Sequence, residues 1–102
     1  MFARVTIGEA LPERLDKMTH EIREHVLPAL RMQDSFAGAL VLINRGSGKV
    51  LALTLWESEQ AMNATEEVAY WLRVFSSEAA GGMVRDVERY EVVFWEVNGA
   101  QP

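Results

Sequence analysis

The sequence predicts an α+β domain with the element order β-α-β-β-α-β, occupying residues 1–102 as one unit. Three observations carry that prediction. Val50-Leu51-Ala52-Leu53-Thr54-Leu55 is apolar at every position but Thr54 and passes directly into Trp56-Glu57-Ser58-Glu59, a buried strand handed to a helix start. Phe36 to Ile43 is a second, wholly apolar run, joined to the first by the turn Asn44-Arg45-Gly46-Ser47-Gly48, so the two read as a hairpin. Helical periodicity flanks the hairpin, with Leu11, Leu15, Met18, Ile22 and Val26 before it and Val68, Trp71, Leu72, Phe75 and Ala79 after it.

The remaining elements follow in chain order. Phe2/Arg4/Thr6 alternate with Ala3/Val5/Ile7, which predicts a first strand, and Gly8-Glu9-Ala10 turns it. Pro12 suits the first helical position, where its missing amide costs nothing, and Glu13 and Asp16 sit where the helix dipole favours acids. Pro28 must kink or end this helix, because it cannot donate to the carbonyl of Glu24; a short terminal turn reaches Leu30. Ser58 is placed to cap a short helix through about Ala64, and Thr65 to cap a second one opening on Glu66 and Glu67. Gly81-Gly82 stops it. Asp86 to Val97 is expected to form the last strand, and Asn98 to Pro102 to fray.

This order is that of a ferredoxin-like unit, a four-stranded antiparallel sheet with helices on one face. Such sheets usually alternate apolar and polar residues, because the second face is wet. The two middle strands do not alternate. Their second face would expose an apolar patch too large for a solitary monomer, and the simplest cover is the same face of a second copy. A homodimer is therefore expected.

Composition limits the function. The net charge of −5 is spread without a clustered basic face, so no nucleic-acid partner is expected. The absence of cysteine removes disulfides, thiolate metal sites and cysteine nucleophiles, and suits a reducing cytoplasm. Met1 to Ile7 reads as a strand and not as a signal peptide, and no apolar run approaches the roughly 20 residues of a membrane span. A small neutral or apolar ligand fits this balance better than a polyanion.

His20-Glu21-Ile22-Arg23-Glu24-His25 misses both helical zinc patterns by one residue, so a solvated helix face is expected and no metal. No serine stands in a nucleophile elbow, and Gly46-Ser47-Gly48 belongs to the hairpin turn. The aromatic set is the stronger candidate. Trp56, Met62, Trp71 and Phe75 come from the third strand and the helices after it, and could line a flat apolar pocket between sheet and helices. Asn63 is the polar residue expected to orient a ligand there, with Thr54 and Tyr70 nearby. Plain core packing is the competing reading of the same residues.

The segment Leu53-Thr54-Leu55-Trp56-Glu57-Ser58-Glu59-Gln60-Ala61, with Phe36-Ala37-Gly38 opening the strand before it, resembles the antibiotic-biosynthesis-monooxygenase-like family. That resemblance implies a dimeric α+β barrel. It also implies an oxidoreductase in the manner of cofactor-free enzymes that oxidise quinol or anthrone-like aromatics with dioxygen. A haem-degrading branch carries an asparagine in the first strand and a histidine after the third; Phe2–Ile7 has no asparagine and Ser58–Ala80 no histidine. No cofactor is therefore expected, and no residue receives a catalytic role. Two readings stand: a cofactor-independent monooxygenase of a small aromatic substrate, or a non-catalytic dimer of the same fold that binds a small apolar molecule.

Overall fold

The computed structural model describes residues 1–98, apart from the side chains at positions 71 and 75–80. Strands β1 (Phe2–Glu9), β2 (Phe36–Asn44), β3 (Lys49–Trp56) and β4 (Met83–Glu91) form one antiparallel sheet of order β2-β3-β1-β4. This is the ferredoxin-like arrangement that the sequence predicts. Between β1 and β2 run a 3₁₀ turn (Pro12–Arg14), α1 (Leu15–Glu21), a π-helical turn (Ile22–Val26) and α2 (Leu27–Arg31). Helices α3 (Glu59–Ala64) and α4 (Glu66–Ala80) connect β3 to β4.

The hairpin turn is built by Asn44 and Gly48. The Asn44 side-chain oxygen accepts from the amides of Gly46 (3.0 Å) and Ser47 (3.1 Å), while Gly48 closes the loop at φ +81°. A Cβ at Gly48 would lie 2.1 Å from the Ala10 carbonyl, so only glycine fits. Ser58 caps α3 as expected, its Oγ accepting from the Ala61 amide at 3.1 Å. Gly81, at φ +69°, follows the end of α4.

Pro28 neither ends the first helix nor leaves it regular. The Leu27 amide reaches back five residues to the Ile22 carbonyl, and the π-helical turn absorbs the misfit before α2 continues with Pro28 in its first turn. Leu11, expected on the buried helical face, lies ahead of the helix and is exposed. Thr65 does not cap α4 with its side chain. Its hydroxyl donates to the Met62 carbonyl at 2.8 Å and accepts from Arg4. The last strand differs most. It starts at Met83, opposite Glu9, and stops at Glu91, opposite Phe2. Past Glu91 the Val92 amide still donates to the Met1 carbonyl at 2.9 Å. Val93 and Phe94 then leave the ladder and stand exposed.

Two small clusters join sheet to helices. Leu15 and Met18 pack on Val50 and Ile43; Leu30, Trp56 and Met62 pack with Phe2, Phe36 and Leu72. These contacts identify the helix-facing side of the sheet: Phe2, Arg4, Thr6 and Gly8 on β1 lie level with Trp56, Thr54, Ala52 and Val50 on β3. The opposite side carries Leu51, Leu53 and Leu55, with Leu42 and Leu40 paired to Leu51 and Leu53. Leu40 is 54% exposed and Leu42 46%.

Candidate functional site

Between the helix-facing side of the sheet and the helices lies a cavity of about 450 Å³. Its floor is made of small residues, among them Thr6, Gly8, Ala39, Ala52 and Thr54. Its roof comes from Met18, Ile22, Val26 and Leu30 of the kinked first helix and from Ala69 and Leu72 of α4. Small side chains on one wall cannot reach the larger ones opposite, and this leaves the space open. Three arginines, Arg4, Arg23 and Arg73, also line it. Among the described residues the lining holds no Asp, Glu, His, Lys or Tyr.

Arg4 is the polar centre of the site. It sits mid-strand on β1 and is only 2% exposed. Its Nη2 donates to the Met62 carbonyl (2.6 Å) and to Thr65 Oγ1 (3.0 Å), tying β1 to the junction of α3 and α4. The guanidinium carbon lies 5.4 Å from the Trp56 ring centroid, within cation–π range. Nε approaches Glu66 Oε2 at 3.3 Å, an ion pair without hydrogen-bond geometry, and Nη1 has no hydrogen-bond acceptor among the described residues. Glu66 is shared: Arg89 grips both of its oxygens at 2.7 and 2.8 Å. Burial lowers the pKa of Arg4 against the opposing pull of Glu66. Burial also lowers that of Arg73, with the like charge of Arg4 adding to the effect. The Arg89 hydrogen bond, aided by the charges of Arg4 and Arg89, holds the Glu66 carboxyl below its ordinary value.

The expected site residues fall as follows. Trp56 is fully buried; its Nε1 donates to Thr54 Oγ1 at 3.0 Å and Phe36 meets it edge-on at 5.5 Å. Met62 is buried against it. Neither is among the residues lining the cavity, and Asn63 is exposed on α3. The Trp71 and Phe75 side chains lie outside the described residues. Trp56 thus meets the site through Arg4, which it backs. Arg4 itself was not singled out from the sequence. The available signal was its place in the Phe2/Arg4/Thr6 alternation, level with Trp56 and Thr54. On the first helix, Glu21 and His25 face each other at 3.6 Å, and neither His20 nor His25 lines the cavity. Among the described residues no three His, Asp or Glu side chains converge as metal ligands would.

No family model matches the chain. Two uncharacterised proteins of Mycobacterium tuberculosis are 34% and 33% identical to it over 92 residues, which is 90% of this chain. The chain spans about two-fifths of their length, 41% and 39%. Among solved structures, a monooxygenase of Streptomyces coelicolor in complex with nanaomycin D superposes with a TM-score of 0.65 at 22% identity, over 86% of this chain and 80% of its own. A haem degrader of M. tuberculosis with two haems in its active site gives 0.66 at 19% identity, over 95% and 99%. A dimeric ferredoxin-like protein from an uncultured marine organism gives 0.65 at 9% identity, over 94% and 97%. The chain therefore has the fold of the antibiotic-biosynthesis-monooxygenase-like structures, as the Trp56-Glu57-Ser58 junction suggested. The haem degrader raises the question of haem in this cavity. The described lining offers no imidazole, thiolate or phenolate to an iron, so these residues do not fit a haem ligated in that way.

Proposed function

We propose that the chain is a cofactor-independent monooxygenase that takes a small aromatic, quinol or anthrone-like molecule into the cavity between sheet and helices. The observation that carries this reading is the cavity itself. At about 450 Å³ it falls in the range of small-molecule sites, and a mainly apolar lining interrupted by a few polar groups is the usual composition of such sites. In this chemistry the ionised substrate supplies the electrons. For an anthrone-like CH₂ group, one atom of dioxygen becomes the new carbonyl oxygen and the other leaves as water with the two hydrogens. The protein holds the substrate in a dry, oriented place and steadies its negative charge. Arg4 is the group placed for that last task.

Assembly belongs to the same reading. Leu40, Leu42, Leu51, Leu53 and Leu55 form an apolar outer sheet face that a second copy would cover, giving a homodimer and a barrel of two sheets. The exposed Val93 and Phe94 would find cover in the same assembly.

One observation favours a second reading, a non-catalytic dimer that binds a small molecule. The described lining provides no general base to ionise a substrate. Oxygen consumption with a panel of hydroquinones and anthrones decides between them. The enzyme reading expects turnover that Arg4→Met depresses. Ligand binding without oxygen uptake for any ionisable aromatic in the panel would leave only the binding reading.

A further inference from the structure

The chain carries a net charge of −5, yet among the described residues the charged side chains lining its cavity are all cationic. Three arginines face one space of about 450 Å³, with no carboxylate among the described lining residues. The nearest carboxylate to Arg4, Glu66, is already held by both oxygens on Arg89. One carboxylate therefore serves two guanidiniums, and Arg4 keeps a buried Nη1 that has no acceptor among the described residues. A buried donor without a partner is costly, and most such groups in folded proteins find one. Arg4 is also fixed in place. Nη2 is committed to Met62 and Thr65, and the guanidinium lies against the Trp56 ring. A fixed, poorly hydrated guanidinium at the wall of an apolar cavity, its nearest carboxylate committed to Arg89, favours a negatively charged group in that cavity, because charge–charge attraction gains in a low dielectric.

We infer that the ligand of this cavity is an apolar organic anion, a hydrophobic frame of ring size bearing one carboxylate or one ionised phenol or enol, with its charged end drawn to the wall that Arg4 and Arg73 make cationic. The inference rests on the proposed cavity site and narrows its ligand class. It narrows the expectation of a small neutral or apolar ligand drawn from composition, since overall charge says nothing about the sign of one pocket. Mutual repulsion between Arg4 and Arg73 is relieved when the anion enters, while Arg23, exposed on the first helix, adds attraction at the edge of the cavity.

The test is calorimetric titration of the whole chain with a matched pair, 2-naphthoate and 2-naphthamide, which share a frame and differ in charge. A third arm uses 4-nitrophenol on the acid and alkaline sides of its ionisation. The expected result is naphthoate at least about ten-fold tighter than the amide, a preference lost in Arg4→Met and in Arg73→Met while amide affinity holds. A phenolate preference without a carboxylate preference supports the inference and names the phenol or enol as the source. Amide binding equal to or tighter than naphthoate, with no gain for the phenolate, overturns it while leaving the cavity reading intact. An anion preference that survives both substitutions also overturns it. Binding of none of the probes defeats the cavity reading and the inference together. Should Arg4→Met fail to fold, the wild-type pair and Arg73→Met still decide.

Discussion

Arg4→Met should cost only about 1–3 kcal/mol of stability, less than the 3–5 kcal/mol typical of breaking a buried ion pair. The reason lies in what each partner keeps. The substitution removes two hydrogen bonds from Nη2 and the stacking on Trp56, and a hydrogen bond to a charged group is worth about 1.5–3 kcal/mol. Against that, it relieves the burial of a cation whose Nη1 lacks an acceptor, and methionine restores apolar contact. None of the abandoned partners is stranded. The Met62 carbonyl still accepts from the Thr65 hydroxyl at 2.8 Å and from the Thr65 amide at 3.2 Å. Glu66 keeps both bonds from Arg89. The reverse deletion is unlike it: Glu66→Ala leaves a 2% exposed guanidinium with no nearby counter-charge among the described residues. The expected order is therefore Glu66→Ala more destabilising than Arg4→Met. Urea unfolding followed by circular dichroism, at one fixed protein concentration, measures both. A loss above about 5 kcal/mol for Arg4→Met, or the opposite order, would refute the view that Arg4 is the replaceable member of this cluster.

Leu42→Glu places a charge on the outer sheet face opposite Leu51, and gel filtration with light scattering should show a monomer in place of the dimer proposed for the parent chain. Val41→Glu points into the cavity side opposite Ala52 and should impair ligand binding before assembly; equal loss of assembly in both would contradict the assignment of faces. Ser58→Ala should cost about 1 kcal/mol through the lost cap of α3, read as a shift in the unfolding midpoint. Because the Glu66 carboxyl is held below its ordinary value in the folded chain, chiefly by the Arg89 hydrogen bond and further by Arg4 and Arg89 as charges, it stabilises the fold above its unfolded pKa. That contribution is lost as pH falls through the lowered folded value, and Glu66→Gln should flatten the acid limb of the stability–pH curve.

The elements were largely readable from the chain because their signals are local. Ser58 caps where a serine before a helix should, Gly48 turns where only positive φ closes the hairpin, and Gly81 ends α4. What was not readable depends on partners distant in sequence. The end of β4 at Glu91 is one case: Val92-Val93-Phe94 keeps a strand-like apolar composition, and only the pairing with β1 shows that the ladder stops before it. The π-helical turn follows from Pro28 in principle, but a kink and a stop look alike before packing chooses. Thr65 looked like a cap because its hydroxyl could serve α4; Arg4, 61 positions away, claims it. The charge of the cavity was hidden for the same reason. Arg4, Arg23 and Arg73 lie on three separate elements, and no window of sequence brings them together.

A finer pattern in the middle strands ties the cavity to the outer face. Reading β2 and β3 as uniformly apolar conceals an alternation of size. By register, Val50, Ala52 and Thr54 on β3 share the helix-facing side with Ala39, Val41 and Ile43 on β2, while Leu51, Leu53 and Leu55 alternate with them as Leu40 and Leu42 do on β2, although Leu40 and Leu53 also border the cavity. A chain built to be most stable alone would do the reverse, since leucines beneath the helices would fill the space and bury more apolar area. Here small residues keep most of the inner wall low, Ile43 excepted, and the leucines of both strands alternate to the other side. Each half of that arrangement is costly by itself. An unfilled interior forfeits packing, and an exposed leucine face invites association. Both costs are offset at once if the outer face is covered by a second copy and the inner space by a ligand, which is why assembly and binding belong to one reading of this sheet. Filling the inner wall separates the two: Ala52→Leu should raise the unfolding midpoint by adding buried apolar area to the cavity, leave the proposed dimer intact, and abolish ligand binding. Calorimetry on that variant checks all three, and ligand affinity unchanged in a filled cavity would place the ligand elsewhere.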